Sequence, residues 1–255
     1  MKAIHRGSSE LLLTLYGGCS HGCWYCWNRH SLKDKHDRLY DEIKNEATIE
    51  NIEHDLIFLK KTQNKKPVVI SNKGDPYDLG RRPKGLFQHI DEDSYVRKVL
   101  KIFRKYDHPF MILTKGGTKA VEDFDLYGPK DWFGVTLTCD NDIDSLKNEP
   151  RAALWADRIA AIKEAHDRGI HTWVSCEPVL DRDQTLHLIE LTHEFVDHFR
   201  VGKLNHYKAE IDWPKFRADA EVLLRKCGKQ RTEEACEMGY LLNSQLINAN
   251  SGKNC

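Results

Sequence analysis

Three cysteines, Cys19, Cys23 and Cys26, stand in the run Cys19-Ser20-His21-Gly22-Cys23-Trp24-Tyr25-Cys26, spaced C-x3-C-x2-C. Clustered thiolates are soft ligands that select zinc, copper(I) or iron–sulfur. A structural zinc site closes with four ligands, usually as two cysteine pairs, and a second pair is missing here. Three thiolates suit a [4Fe-4S] cluster with one iron left open to a further ligand. An open metal position belongs to a catalytic site, whereas structural sites fill it. The alternative is a zinc-binding or redox-labile cysteine loop.

The chain has eight cysteines, and the other five are Cys139, Cys176, Cys227, Cys236 and Cys255. The last three match no ligand pattern and read as ordinary thiols, and the thirteen histidines show no ligand spacing. Lysine plus arginine equals aspartate plus glutamate at 39 each, so no uniform basic field favours nonspecific nucleic-acid binding. Local basic runs such as Lys60-Lys61 and Arg81-Arg82 read as solvated helix ends or loops. No stretch approaches the ~18 apolar residues of a membrane span, and Met1 to Arg6 lacks the apolar run of a secretory signal. Eight cysteines without such a signal point to a reducing, cytoplasmic location and no membrane partner.

The elements that would carry the cysteine loop are legible from apolar periodicity. Leu11 to Leu15 reads as a first strand, with Gly17, Gly18 and Gly22 permitting a loop around a bulky ligand. Helical spacing of Ile49, Ile52, Leu56 and Leu59 predicts a helix over about 46–61, followed by a strand at Val68-Val69-Ile70-Ser71. Ser94 caps a helix carrying Val96, Val99, Leu100 and Phe103, and Phe110 to Thr114 is the third strand. A short helix or loop fills about 118–126, and Trp132 to Thr138 is the fourth strand. Pro150 opens a helix with Trp155, Ile159 and Ile162, closed by Gly169 at its C′ position. His171 to Ser175 is the fifth strand, a helix with Leu188, Leu191 and Phe195 follows, and Phe199 to Gly202 is the sixth strand. Asp212-Trp213-Pro214 opens a further helix, and another is expected through about 232–246. Alternating strands and helices make a parallel sheet with right-handed crossovers, and six units are too few for a closed eightfold barrel. The expected fold is α/β, a partial (β/α)6 TIM-like barrel. One domain spans 1–255, with its core at about 10–207 and a helical extension over about 208–255.

In such a barrel the active residues gather at the C-terminal strand ends. Those ends read Cys19–Cys26, Ser71-Asn72-Lys73-Gly74-Asp75, Thr114-Lys115, Thr138-Cys139-Asp140, Cys176-Glu177 and Lys203 with Asn205-His206. Loops are polar in any case. That alone does not explain why all of them share a rim with a three-cysteine loop.

Cys19, Cys23 and Cys26 at this spacing resemble the signature of the radical S-adenosylmethionine (SAM) superfamily. Over roughly 10–207 the chain is most similar to the spore photoproduct lyase-like branch. Gly74-Asp75-Pro76-Tyr77, Leu113-Thr114-Lys115, Val135 to Thr138, Glu149-Pro150 with Arg158, and Glu177-Pro178 follow in the branch's order. The resemblance implies the barrel fold, a [4Fe-4S] cluster on the three cysteines, and SAM chelated to the open iron. It also implies one-electron cleavage of SAM to methionine and a 5′-deoxyadenosyl radical. An external electron donor of the flavodoxin or ferredoxin type and a nucleic-acid base or lesion as substrate are implied with it. Tyr25 takes the aromatic position that lies against adenine. The family's Gly-Gly-Glu segment is absent; Asn72-Lys73-Gly74-Asp75 stands in its place. Asp75, or Ser71 and Asn72, would then meet the SAM ammonium and Lys73 its carboxylate. Thr136 and Thr138, on one face of their strand, would serve the ribose, or simply fill it as β-branched residues. Glu177 would contact SAM or substrate, and Arg158 reads as a surface or salt-bridging arginine. The branch's hydrogen-donating cysteine near strand two is missing from Val69 to Gly74, so repair of spore-photoproduct DNA is not expected. Cys139 and Cys176 are candidate substitute donors, with small buried core residues as the plainer reading. A noncatalytic iron–sulfur electron-transfer or sensor protein would need a fourth ligand that no nearby cysteine offers.

Overall fold

The structure, a computed structural model, describes residues 2–7, 10–26, 47–70, 73–78, 93–204, 207 and 210–229. Expectations for Ser71, Asn72, Arg81-Arg82, Asn205, His206, Cys236, Cys255 and the helix over 232–246 lie outside the described residues.

Seven strands form one sheet in chain order: β1 Ile4–Arg6, β2 Leu11–Leu13, β3 Val68–Ile70, β4 Phe110–Thr114, β5 Trp132–Thr136, β6 His171–Cys176 and β7 His198–Val201. All neighbours from β2 to β7 run parallel, as the alternation of strands and helices predicts; β1 is antiparallel to β2. The helices are α1 Ile49–Lys61, α2 Tyr95–Tyr106, α3 Asp142–Asn148, α4 Trp155–Asp167, α5 Arg182–Thr192 and α6 Trp213–Lys226, with a 3₁₀ segment over Gly117–Leu126. The fold is thus α/β with a six-strand parallel portion, extended by one strand that the sequence reading missed. No helix among the described residues is long and apolar enough to cross a membrane.

Side-chain oxygens satisfy the first-turn N–H groups where the sequence offers them: Thr48 for α1, Ser94 for α2, Asp181 for α5 and Asp212 for α6. Helix α4 begins at Trp155 rather than near Pro150, and its N-cap Leu154 offers no side-chain cap. The helix α3 was not anticipated, although Asn141 caps it by accepting from Asp144 N–H. β1 is held by a buried carboxylate: Asp55 of α1 accepts from the backbone N–H groups of Lys2, Ala3 and Ile4.

The sheet's two faces differ. Leu11, Leu13, Val68, Ile70, Phe110, Ile112, Phe133, Val135, Val174, Cys176, Phe199 and Val201 belong to the large core shared with the helices. The alternate residues Val69, Met111, Leu113, Trp132 and Trp173 form a second cluster on the opposite, inner face. Trp173 lies over Gly134, where a Cβ would stand 2.2 Å from its indole nitrogen, and that nitrogen donates to Ile112 O at 3.1 Å. Arg200 of β7 reaches Glu10, beside β2, at 3.7 Å. In a flat sheet five strand steps would separate them by about 24 Å. The sheet therefore curls, and the inner face is the concave one.

Candidate active site

The loop between β2 and α1 carries Cys19, Cys23 and Cys26 at the C-terminal end of β2. Its path is tied down residue by residue. Gly74 lies so close beneath it that a Cβ there would stand 2.3 Å from Gly18 O. Ser20 donates its backbone N–H and its hydroxyl to buried Asp78. Arg151 holds the backbone from the other side: its Nε donates to Ser20 O, and its own N–H donates to His21 O at 3.0 Å. Gly22 adopts φ +76° beside Arg151 and Pro150, a conformation that disfavours any side chain.

The two residues between Cys23 and Cys26 are anchored by the segment after β5. Trp24 Nε1 donates to Asn148 Oδ1 at 2.6 Å, and Tyr207 packs edge-on against the indole. Tyr25 OH donates to Glu149 Oε1, which also accepts from Thr138 Oγ1 at 3.0 Å. Glu149 Oε2 pairs with Arg158, and both side chains are only 1% exposed. The guanidinium completes its bonds to Ala153 O at 2.7 Å and Thr136 O at 2.9 Å. Arg158 is therefore not a surface residue. Lys115 Nζ stands 5.7 Å from the Tyr25 ring centre. Burial opposes its charge, yet Cys23 and Glu149 together hold the ammonium above its ordinary range. Burial also raises the Glu149 carboxyl, but Arg158 and Lys115 outweigh it and keep the group ionised below its usual value.

Asp75 sits at the junction of three segments. Its Oδ1 accepts from Tyr77 N–H at 2.8 Å and Thr114 Oγ1 at 2.5 Å, and its Oδ2 accepts from Lys115 N–H at 2.7 Å. His21 lies between Asp75 and Asp78, 3.6 and 4.0 Å away, almost fully buried. Lys73 is exposed. Thr136 and Thr138 are both buried beside the Glu149 network. Glu177 is farther round the rim, where Ser175 Oγ donates to it at 3.3 Å and Arg200 Nε lies 3.3 Å away.

The two additional rim cysteines part company. Cys139 accepts from Asn148 Nδ2 at 3.5 Å, one amide removed from Trp24 of the cysteine loop. Cys176 is fully buried in the helix-side core with Val174 and Val201, not on the inner face. That placement removes the premise that it faces the cavity. Sequence reasoning missed Asn148, Asp78 and Arg151 as loop anchors. The only signal for them was position, since all three flank rim segments.

The loop's donor set suits a cluster better than a single ion. Among the described residues no three His, Cys, Asp or Glu side chains converge as one metal ion would require. A [4Fe-4S] cluster spreads its ligands over separate irons and takes one thiolate on each. Burial, with Asp75 and Asp78 nearby, pushes the Cys19 thiol far up, and burial pushes Cys23 up to about 12. Iron would displace those protons, since metal ligation deprotonates a thiol outright. The pair Lys115 and Arg158 supplies positive charge beside the resulting anionic centre.

Residues 13–196 match the family model of the radical SAM superfamily. No curated protein sequence matches the chain. Among solved structures it is similar to Streptococcus suis SuiB bound to S-adenosylmethionine, with 12% identity and a TM-score of 0.59 over 95% of this chain and 51% of SuiB. It is also similar to a radical SAM methyltransferase from Sphaerobacter thermophilus, with 13% identity and a TM-score of 0.59 over 90% of this chain and 67% of that one. The chain spans about half the length of SuiB, and at these identities the likeness concerns the fold. The family match covers well over half of the 255 residues, and the chain belongs to the radical SAM superfamily, whose members use a [4Fe-4S] cluster and SAM.

Proposed function

We propose that this chain is a radical SAM enzyme in which Cys19, Cys23 and Cys26 hold the cluster and a substrate lies against the concave face. When bound, the cluster and SAM supply a one-electron cleavage to methionine and a 5′-deoxyadenosyl radical that takes hydrogen from the substrate. The observation that carries this reading is the three-thiol loop at the end of β2, tied on both sides to rim segments.

The chain's own residues have defined tasks in this reading. Tyr25 presents its ring to the adenine while its hydroxyl is held by Glu149. Asp75 accepts from Tyr77 N–H, Thr114 Oγ1 and Lys115 N–H, and of the about four sites a carboxylate offers, the SAM ammonium would share the remaining one with His21, 3.6 Å from Oδ2. In this reading Ser71 and Asn72 would share the SAM ammonium and Lys73 would meet its carboxylate. Thr138 donates to Glu149 and keeps lone pairs to accept from ribose hydroxyls, with Thr136 beside it. Glu177, paired with Arg200 above the Trp173 floor, faces the substrate side. Trp173 and Met111, each 1% exposed, seal the lower interior against water.

The motif order from Gly74-Asp75-Pro76-Tyr77 to Glu177-Pro178 supports a lyase-like enzyme acting on a nucleic-acid base or lesion, and an electron donor of the flavodoxin or ferredoxin type and a cytoplasmic location belong to the same reading. Cys139, beside Asn148, is the better placed of the two candidate hydrogen donors. Anaerobic reconstitution with iron and sulfide should give about four irons per chain. 5′-Deoxyadenosine should then form from SAM and reductant. Cys23→Ala should abolish both, and Cys227→Ala neither. Retention of the cluster in Cys23→Ala would sink the reading.

A further inference from the structure

A carboxylate and a guanidinium, each 1% exposed, lie beneath the cysteine loop, where ordinary core packing would place apolar side chains. Burying two charges costs several kcal/mol per ion, and the pair's attraction does little more than offset it. Such a pair is therefore weak evidence of stabilisation, and its retention asks for another reason. The bonds around it supply one. Glu149 is the single point at which Tyr25, Thr138 and Arg158 meet. Arg158 in turn grips Thr136 O at the end of β5 and Ala153 O in the turn before α4. Tyr25 is 124 residues from Glu149 in the chain, so no local geometry sets its ring.

We infer that Glu149 and Arg158 are positioning residues: together they fix the Tyr25 ring, and with it the segment between Cys23 and Cys26, relative to the end of β5. The pair touches neither reacting atoms nor thiols in its assigned bonds. It acts through Tyr25 and Thr138, the two side chains that share its carboxylate oxygen. Asn148, one residue before Glu149, holds Trp24 in the same way, so the C-terminal end of α3 frames both aromatic residues of the loop. This inference rests on SAM binding at the loop, as proposed above.

The test is a titration of SAM into the anaerobically reconstituted full chain by calorimetry, with iron content and the thermal midpoint of the iron-free chain measured alongside. The neutral pair Glu149→Leu with Arg158→Met removes both charges of the pair together, and with them the oxygen that accepts from Tyr25 and Thr138. It is expected to fold with a similar midpoint and take up iron, yet bind SAM at least about tenfold more weakly. Tyr25→Phe, which removes one hydroxyl, should weaken SAM by about three- to tenfold. That loss should largely vanish in the Glu149→Leu, Arg158→Met background, because the hydroxyl and the pair act as one unit. Wild-type SAM affinity in the folded double variant would overturn the inference, as would simple additivity of Tyr25→Phe with the double variant. Should the double variant fail to fold, the Tyr25→Phe and Thr138→Val titrations decide alone, and unchanged affinity in both would overturn it. Failure of the wild-type chain to bind SAM would instead remove the proposed function, so the two failures are distinct.

Discussion

Two charged groups near the C-terminal ends of the strands are built to different tolerances. Glu149 and Arg158 are 1% exposed, and every partner is a fixed backbone oxygen or an oriented hydroxyl. Glu10, Arg200 and Glu177 are 19–23% exposed. Their ion pairs are looser, at 3.7 and 3.3 Å, and Arg200 also rides 5.9 Å above the Trp173 ring. The first group is a frame with one geometry. The second bridges the open side of the curled sheet, from β7 back to β2, and keeps room to rearrange around a guest. Dryness separates them: without water every bond must be made at once, whereas partial hydration lets a bond be exchanged.

Removing one partner tests that difference most severely. Arg158→Ala strands a buried carboxylate and should lower unfolding stability by about 3–5 kcal/mol, read from denaturant midpoints. Arg200→Ala at the hydrated group should cost no more than about 1 kcal/mol in the same assay. Equal losses would erase the distinction. Asp55, a buried carboxylate that accepts from the backbone N–H groups of Lys2, Ala3 and Ile4 and lies 3.1 Å from Nδ1 of the exposed His54, falls between them: Asp55→Asn should cost about 1–3 kcal/mol. Hydrogen exchange should then show β1 opening before the rest of the sheet.

Acid should separate the groups by sign. The Glu149 carboxyl is depressed below its ordinary 4.5 because Arg158 and Lys115 outweigh burial, so its contribution is present above that value and lost as pH falls through the folded-state pKa. The Glu10 carboxyl is raised by burial, against Arg200 and with Glu177. Its charged form is therefore penalised in the fold, and that penalty is relieved as pH falls toward and below the raised pKa. Glu149→Gln should flatten the acid limb of a stability profile as pH falls below the ordinary 4.5. Glu10→Gln should raise stability at neutral pH by less than about 1 kcal/mol. A drop at neutral pH for Glu10→Gln would show that the Arg200 contact matters more than the burial cost. The smallest effect concerns Gly202, where a Cβ would stand 2.5 Å from Glu177 Oε1. Gly202→Ala should displace that flexible carboxylate at a cost below about 1 kcal/mol, leaving iron uptake unchanged.

The apolar spacing of Ile52, Leu56 and Leu59, and of Val96, Val99, Leu100 and Phe103, is enough to place α1 and α2, because those side chains are the buried ones. The strands from Leu11 to Val201 are legible for the same reason: each carries a short apolar run bounded by turn residues. β1 is not legible. Its three residues include only one buried apolar side chain, and it forms because Asp55 satisfies its entrance from more than fifty positions away. α3 is short and mostly polar, with Ile143 and Leu146 exposed, so periodicity has nothing to report.

For the site, the spacing of Cys19, Cys23 and Cys26 narrowed the chemistry to thiolate ligation of a metal or cluster, since ligand softness and number depend on residue type and local separation, and the SAM chemistry came with the family. Fold class followed from period and alternation, which are also local. Tertiary structure alone decided that Arg158 is buried, that Cys176 faces the helices, and that Tyr25 meets Glu149. Each depends on which distant segments close over a side chain. A charged residue's spacing cannot reveal whether water or a counter-charge will surround it.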